Sequence, residues 1–261
     1  MNYRLLIFFL LIPLFSFAQN EEEKRAVNSQ DHLIYATIWY QRSPEMKAIY
    51  YQCFNIAKRN LQGFVKQNGN KPKAVIVDID ETMLDNSPFE AKQILESKGF
   101  SSGSWKQWTD LAKAKALPGA VEFTKFCDSL GIEVFYVSNR KTDELESTLK
   151  NLDSLGFSFS RKENMFFKTD VSSKKQRRDI ILQNYDIVML IGDNLNDLSE
   201  IFETREDGWG TKLVDRYKDE FGNRFIVLPN PMYGDWEKNI FNSKDLSEDE
   251  KRILRLKALL L

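Results

Sequence analysis

Five short apolar runs, separated by segments with helical periodicity, place the strongest constraint on the fold of this chain. Each run is apolar throughout, as expected of strands that are buried on both faces of a sheet. Strands that alternate with helices are typical of a parallel sheet. We therefore predict an α/β fold with a Rossmann-like parallel sheet wound with helices. The predicted strands are 74–77, 134–137, 165–167, 187–191 and 225–228, and the predicted helices are 120–130, 142–155, 174–184 and 197–202.

The segment before the first predicted strand has apolar residues at helical spacing. This pattern predicts helices within 31–68. Ser43 and Pro44 divide the segment into two helices, because serine suits an N-cap and proline suits the first helical position. We assign 31–261 to a single domain that includes these helices.

Two other segments lie outside the strand and helix alternation. The stretch of about 86–116 is too long for a simple crossover, so we interpret it as a small helical cap insertion at one end of the sheet. The tail, 245–261, contains a capping box formed by Ser247 and Glu250, followed by apolar residues at helical spacing. We expect this tail helix to pack on the core.

Polar side chains follow four of the predicted strands, where ligands bind in parallel α/β sheets. If these strands are neighbours, their polar ends form one pocket for a divalent metal ion and an anion. Most of the candidate ligand atoms are carboxylate oxygens, and none of the candidate residues is His or Cys. Mg²⁺ is therefore the expected cation. The candidate residues are Asp78, Asp80, Ser138, Asn139, Arg140, Lys174, Asp193 and Asp197.

The spacing of the acidic residues suggests how they share the chemistry. Asp78 and Asp80 lie on the same side of a strand end, so one can attack while the other moves a proton. Asp193 lies at a strand tip and Asp197 one turn further on. One of this second pair can hold the metal while the other orients the metal or Lys174.

The first residues of the chain are typical of a secretory signal peptide. Arg4 precedes an apolar run, and small residues at Ser16 and Ala18 predict cleavage after Ala18. The run is too short for a stable membrane span and is interrupted by Pro13. No cysteine lies near the cleavage point, so a lipid anchor is not expected.

The charge balance argues against nucleic acid as a partner. Cleavage after Ala18 removes one Arg and no acid, which leaves 36 basic and 38 acidic residues, a net charge of −2. The basic run 174–178 lacks a basic surround, so most of it is expected to be solvated. Within it we favour Lys174 over Lys175 as the residue that reaches the site.

The cysteine and histidine content gives little further information. Cys53 and Cys127 could pair in an oxidising compartment, but both occupy apolar positions of predicted helices, and two buried thiols are an equal alternative. His32 is the sole histidine, so we interpret it as an ordinary polar residue. The sequence does not determine the oligomeric state, and a homo-oligomer is compatible with it.

Motifs along most of the chain resemble those of the class C bacterial acid phosphatases, a secreted or surface, 5'-nucleotidase-like group of the haloacid dehalogenase-like superfamily. The resemblance implies a haloacid dehalogenase-like core and phosphatase activity. The chain lacks the lipid-anchoring cysteine of the surface members of this group. This difference favours a soluble periplasmic or secreted enzyme. The motifs are DIDETMLDN (78–86), SWKQW (104–108), LPGAVEF (117–123), VFYVSNR (134–140), Ser-x-Lys-x-x-Arg (172–177), GDNLND (192–197) and LPNPMYGDW (228–236).

The resemblance implies a role for each residue at the strand ends. Asp78 would be the nucleophile that forms an aspartyl-phosphate, and Asp80 the general acid and base. Magnesium would be held by Asp78, the main-chain carbonyl of Asp80 and Asp193, beside Asp197. The residues implied to contact or neutralise the phosphoryl group are Ser138, Asn139 and Lys174, with Arg140 as a further substrate-binding candidate.

Aromatic residues of the matching motifs suggest the substrate. In the family, an insertion tryptophan and a tyrosine sandwich the ring of a nucleoside monophosphate, and Trp105 and Tyr233 match them. Stacking on each face contributes about 1 to 3 kcal/mol. Trp108 is a further candidate, although it could equally pack the insertion onto the core.

The sequence therefore predicts a secreted, magnesium-dependent acid phosphatase that hydrolyses phosphate monoesters, with nucleoside 5'-monophosphates as the favoured substrates. Two alternatives stay open. One is a phosphatase of the same superfamily that acts on sugar phosphates or other small esters. The other is an envelope protein that binds a planar ligand without turnover.

Overall fold

The structure, a computed structural model, describes residues 30–205, 209–241 and 246–261. The predicted signal peptide, residues 1–18, lies outside the described residues. The described strands are β1 (Lys73–Val77), β2 (Leu84–Asp85), β3 (Lys115–Ala116), β4 (Glu133–Lys141), β5 (Met165–Lys168), β6 (Asp186–Gly192) and β7 (Phe225–Val227). The described α-helices are α1 (Ile34–Arg42), α2 (Pro44–Val65), α3 (Ser87–Leu95), α4 (Ser102–Asp110), α5 (Ala120–Ser129), α6 (Leu145–Ser154), α7 (Lys175–Leu182), α8 (Leu195–Leu198), α9 (Thr211–Arg216) and α10 (Glu248–Lys257).

Five of the described strands form a parallel sheet in the order β5-β4-β1-β6-β7. The central strand β1 pairs with β4 and β6, so its last residue, Val77, lies opposite Tyr136 and Ile191. From β1 the chain runs to one side of the sheet through β4 and β5, and then to the other side through β6 and β7. The carboxyl end of β1 is therefore the switch point where α/β sheets bind ligands. The predicted α/β fold with a parallel sheet is confirmed.

Burial on both faces explains why β1 is apolar at every position after Lys73. Val75 and Val77 belong to the larger core cluster, which includes residues of α2 and α5. Ala74 and Ile76 point to the opposite face and belong to a second cluster with residues of α7 and β7. A strand covered on both sides carries a continuous apolar run instead of an alternating one.

The two N-terminal helices meet at Ser43, as predicted. Ser43 Oγ accepts a hydrogen bond from the main-chain N–H of Met46 at 3.2 Å, and Pro44 is the first residue of α2. From α2, Tyr50 and Phe54 are buried in the larger core cluster. The helix therefore covers one face of the sheet.

The segment between β1 and α5 contains the stretch of about 86–116 that we interpret as a cap insertion. In sequence, its helices α3 and α4 lie between the short strands β2 and β3. These two strands pair antiparallel, with Leu84 opposite Ala116. α3 packs against α1, and α4 packs against α6. The insertion is thus held on the domain by helix contacts on two sides.

The tail helix α10 differs from its predicted packing. The capping box is present, since the Glu250 N–H donates to Ser247 Oγ at 3.3 Å. However, Ile253 and Leu256 are about half exposed, so the expectation that this helix packs on the core is wrong. The reason is that its charged side is the one in contact: Arg255 lies 3.0 Å from the His32 ring nitrogen and over the Phe241 ring.

Cys53 and Cys127 are free thiols in the part of the chain that the structure describes. Cys127 is buried and Cys53 partly buried, which agrees with the two-thiol alternative. Within the described ranges, no helix combines the length and the apolar composition needed to cross a membrane.

Candidate active site

A cavity of about 1160 Å³ opens at the carboxyl ends of the central strands, between the sheet and the insertion. It brings together residues that follow β1 and β6, residues of α4, β4 and α8, and the residue before α7, which lie far apart in the sequence. Ser138 and Trp108 are predicted site residues that do not line it. The predicted site residues that line the cavity are Asp78, Asp80, Trp105, Asn139, Arg140, Lys174, Asp193, Asp197 and Tyr233.

Three carboxylates form a compact cluster at the strand ends. Asp78 directly follows β1, Asp193 directly follows β6, and Asp197 lies in α8. One carboxylate oxygen from each lies within 4.8 Å of the others. Asp78 and Asp197 are buried, and Asp193 is partly buried.

The turn between β6 and α8 brings Asp197 back onto the strand end. Asp197 Oδ2 accepts a hydrogen bond from the Asn194 main-chain N–H at 3.0 Å, as part of a capping box. A side chain at Gly192 would not fit here, since its Cβ would lie 2.4 Å from Asp197 Oδ2. The glycine therefore allows the close approach of this carboxylate.

Lys174, which immediately precedes α7, is the cation of this cluster. Its side chain is 3% exposed, and its Nζ donates to Asp78 Oδ1 and lies 2.7 Å from Asp197 Oδ1. Lys175 instead pairs with Asp179 on the exposed side of α7. The structure thus places Lys174, and not Lys175, in the cavity.

Burial and neighbouring charges shift the pKa values of the groups in this cluster. Desolvation raises the pKa of Asp78 to about 7; Lys174 opposes the shift and Asp197 adds to it. Desolvation also raises the pKa of Asp193 well above its ordinary value, with Asp197 and Asp78 adding to the shift. Burial would lower the pKa of Lys174, but Asp197 and Asp78 outweigh it and raise that pKa above its ordinary value.

The donor set of the cluster fits a divalent cation. If all three carboxylates were ionised, the single ammonium group of Lys174 would leave two negative charges uncompensated. Hard cations such as Mg²⁺ prefer carboxylate oxygens, and a bound cation competes with the protons that burial would otherwise favour. The residues are therefore suited to a divalent metal ion, with Asp78, Asp193 and Asp197 as the available side chains.

Asp80 is held apart from this cluster. Its Oδ1 accepts hydrogen bonds from Arg140 Nη2 and Asn86 Nδ2, each at 2.8 Å, and from Arg140 Nε at 3.0 Å. Ser138 Oγ and Arg140 Nε reach its Oδ2 at 3.3 Å. The Asp80 carboxylate is therefore not one of the clustered metal ligands, which leaves only its main-chain carbonyl for the predicted metal contact.

The two residues before Arg140 differ in exposure. Ser138 is fully buried, and its hydroxyl contacts Asp80 and the Arg140 N–H, so its side chain does not reach the cavity. Asn139 is exposed to the cavity, and its Oδ1 accepts a hydrogen bond from Arg177 Nη2 at 2.8 Å. Of the two predicted phosphate contacts, the geometry places only the Asn139 side chain at the surface.

Aromatic rings from the insertion and from the segment after β7 line the cavity. Trp105 packs edge-on against Phe89, with ring centroids 5.2 Å apart, and leaves one side towards the cavity. Tyr233 lines the same cavity from the segment after β7.

Trp108 and Arg140 occupy different positions from those expected of substrate-binding residues. Trp108 packs against the core, and its Nε1 donates to Asn86 Oδ1 at 2.8 Å, because its ring faces inward from α4. Arg140 borders the cavity but is 3% exposed, and its guanidinium donates to Asp80 and Thr148. The Trp108 side chain therefore lies outside the cavity lining, and hydrogen bonds to Asp80 and Thr148 already occupy the Arg140 guanidinium.

Comparison with known proteins identifies the family. Residues 18–236 match the family model "HAD superfamily, subfamily IIIB (Acid phosphatase)". The chain belongs to this acid phosphatase family. The resemblance predicted from the sequence motifs is therefore confirmed.

Solved structures of a class C acid phosphatase are similar to this chain. The class C acid phosphatase from Bacillus anthracis matches with a TM-score of 0.85 and 37% sequence identity, over 90% of this chain and 99% of that chain. A second structure of that protein, with tungstate bound, matches with the same TM-score and 36% identity. The Stem 31 kDa glycoprotein of Glycine max is 28% identical over 60% of this chain. That alignment spans 58% of the plant protein's length.

Three residues that support the subfamily IIIB site had no role in the sequence analysis. Asn86 contacts Asp80, Asn230 donates to Asp193 Oδ2 at 2.9 Å, and Arg177 Nη1 donates to the Ser138 carbonyl at 2.6 Å. All three lie inside matching motifs, which is the signal that could have found them. The partners of Asn230 and Arg177 are distant in sequence, and Asn86 reaches back six residues to Asp80, so spacing alone did not reveal the contacts.

Proposed function

We propose that this subfamily IIIB protein is a magnesium-dependent phosphomonoesterase that hydrolyses nucleoside 5'-monophosphates through an aspartyl-phosphate intermediate. The observation that carries the proposal is the meeting of Asp78, Lys174 and Asp193 in one cavity, with Asp80 held separately beside them. A nucleophile, a cation and an acid–base group in this arrangement are the requirements of phosphoryl transfer.

In the first step, an Asp78 carboxylate oxygen attacks phosphorus, and the bond from phosphorus to the alcohol oxygen breaks. Protonated Asp80 gives its proton to the departing oxygen. In the second step, water attacks phosphorus while Asp80 takes up its proton. The bond to Asp78 breaks, inorganic phosphate leaves, and the carboxylate is restored.

Charge in the site supports these steps. Lys174 forms ion pairs with both Asp78 and Asp197. It is therefore placed to neutralise the phosphoryl oxygens as negative charge builds on them. Asp78, Asp193 and the main-chain carbonyl of Asp80 would hold magnesium, with Asp197 beside them. When bound, the ion would reduce the repulsion between the nucleophile and the incoming phosphate.

The nucleotide part of the proposal rests on the aromatic lining. Trp105 and Tyr233 belong to two different segments that border the cavity, and each offers a ring to a planar base. The bound tungstate in the related Bacillus anthracis structure supports binding of a tetrahedral oxyanion in that protein. Sugar phosphates remain the competing substrate class, because they need the anion site but not the rings.

The test is phosphate release from purified full-length protein against a panel of nucleoside monophosphates and sugar phosphates. We expect release that requires Mg²⁺, stops with EDTA, and is abolished by Asp78→Asn. Trp105→Ala should lower kcat/KM for nucleotides roughly tenfold and leave sugar phosphates less affected. Equal loss on both classes would argue for the sugar-phosphate alternative, and no release from any ester would favour a ligand-binding protein.

Export is proposed from the sequence of residues 1–18, and the family match, which begins at residue 18, starts at the end of that segment. Mass spectrometry of the protein recovered from the periplasm or the medium should give an N-terminus at Gln19. An intact N-terminus in a cytoplasmic fraction would contradict export.

A further inference from the structure

Asn86, at the start of the insertion, connects the acid–base carboxylate to a tryptophan. The residue is completely buried. Its Nδ2 donates to Asp80 Oδ1 at 2.8 Å, and its Oδ1 accepts from Trp108 Nε1 at 2.8 Å. A weaker contact from Arg140 Nη2 reaches the same Oδ1 at 3.5 Å.

The chemistry of the two partners fixes the orientation of the Asn86 amide. An indole N–H can only donate, and an ionised carboxylate can only accept. Trp108 therefore requires the amide oxygen on its side, which turns the NH₂ group towards Asp80. With the amide reversed, Trp108 would lose its acceptor and the amide oxygen would face the Asp80 carboxylate.

This orientation distinguishes the two oxygens of Asp80. Oδ1 receives three hydrogen bonds of 2.8 to 3.0 Å from Asn86 and Arg140. Among the described residues, Oδ2 has only the 3.3 Å contacts from Ser138 and Arg140. Oδ2 is thus the more weakly held oxygen, while Oδ1 is fixed by its donors.

We propose that Trp108 is a positioning residue for Asp80: by orienting the Asn86 amide, it holds Asp80 Oδ1 and directs Oδ2 to proton transfer with the leaving group. The inference rests on the proposed function. Trp108 lies in α4, so the insertion contributes to proton transfer as well as to binding. The tryptophan acts through Asn86 and does not touch the substrate.

Protonation of the leaving group matters most when that group is a poor one. The test therefore compares kcat/KM for two esters. 4-Nitrophenyl phosphate releases 4-nitrophenolate, which can leave without a proton, whereas the alkoxide of glycerol 2-phosphate needs one. Trp108→Phe keeps the ring packing and removes the N–H. We expect a loss of about twofold on the aryl ester and about tenfold on the alkyl ester, part of the usual range for general acid catalysis.

Asn86→Asp gives a second, isosteric test, because it keeps the acceptor for Trp108 and replaces the donor to Asp80 with a carboxylate oxygen. Its loss should be larger than that of Trp108→Phe and again greater on the alkyl ester. Trp209→Phe is the matched control: Trp209 is 43% exposed and lies outside the cavity lining, so both rates should stay unchanged. Thermal unfolding verifies that each variant is folded.

Equal losses on the two esters, in variants that fold, would overturn the positioning role and leave the proposed function intact. If Trp108→Phe does not fold, Asn86→Asp decides by the same comparison. A wild-type protein that hydrolyses neither ester with Mg²⁺ present would overturn the proposed function, and this inference with it.

Discussion

Gly192 controls the geometry of the carboxylate cluster because it has no side chain. Gly192→Ala would place a methyl group 2.4 Å from the Asp197 carboxylate and push it away from Lys174. We expect a loss of about 1 to 3 kcal/mol in the free energy of unfolding and more than tenfold in kcat/KM. Urea unfolding and steady-state kinetics measure both.

The matched control for this substitution is Gly63→Ala. Gly63 lies in α2 and has open space around its Cβ position, so alanine should stabilise the protein slightly through its helix propensity. If both glycine variants behaved alike, the crowding at Asp197 would not be the cause.

Lys174 and Lys175 are neighbours in sequence with different surroundings. Lys174→Met removes the cation that contacts Asp78 and Asp197, so kcat/KM should fall by roughly a hundredfold or more. Lys175→Met removes only an exposed pair with Asp179, and its activity should stay within about twofold of wild type. Equal losses from the two variants would argue against the assigned role of Lys174.

At the scale of elements, α3 carries a partly buried acid, Glu90, that lines the cavity. Desolvation and the nearby Glu237 raise the pKa of Glu90 to about 7, while Arg255 faces Glu237 from α10. Because the folded pKa lies above the ordinary value of 4.5, Glu90 favours the folded state most below that value, and this advantage is lost as pH rises through 7.

We therefore expect Glu90→Gln to retain more stability than wild type when pH rises from about 5 to about 8. The difference should be on the order of 1 to 3 kcal/mol in denaturant unfolding curves. Glu96→Gln is the control, since Glu96 is exposed and its pKa is lowered by Lys98, which places its titration below this pH window. Parallel pH profiles of the Glu90 variant and wild type would contradict the prediction.

The elements themselves show what local sequence can specify. The caps at Ser43 and Ser247 were predicted correctly because an N-cap depends on residues within one turn. The packing of α10 was not, because an apolar pattern shows which side of a helix is apolar but not whether a surface is available to cover it. Here Arg255 forms the contact, and Ile253 stays about half exposed.

At the scale of the whole molecule, the site joins both halves of the sheet, so a cation bound there should stabilise the folded protein. We expect Mg²⁺ to raise the melting temperature of wild type, because an ion at a hundred times its Kd adds about 2.7 kcal/mol to the free energy of unfolding. Asp193→Asn removes a partly buried charge that lies beside two other carboxylates, and it should be more stable than wild type with EDTA.

With Mg²⁺ the order of these two proteins should reverse, because Asp193→Asn loses a proposed ligand. Asp179→Asn, on the exposed side of α7, should follow wild type in both conditions. Differential scanning calorimetry with and without Mg²⁺ measures the crossing. A wild-type melting temperature that does not respond to Mg²⁺ would contradict the proposed metal site.

The sequence by itself determined the α/β class, the family, and the acids that follow the strands, because strand burial and turn chemistry leave local patterns. The tertiary structure alone decided how distant residues pair. In the structure, Arg140 forms an ion pair with Asp80, and Trp108 donates a hydrogen bond to Asn86. Lys174 forms ion pairs with Asp78 and Asp197. These contacts cross long separations in the chain, and only the winding of the strands brings such residues within hydrogen-bond distance.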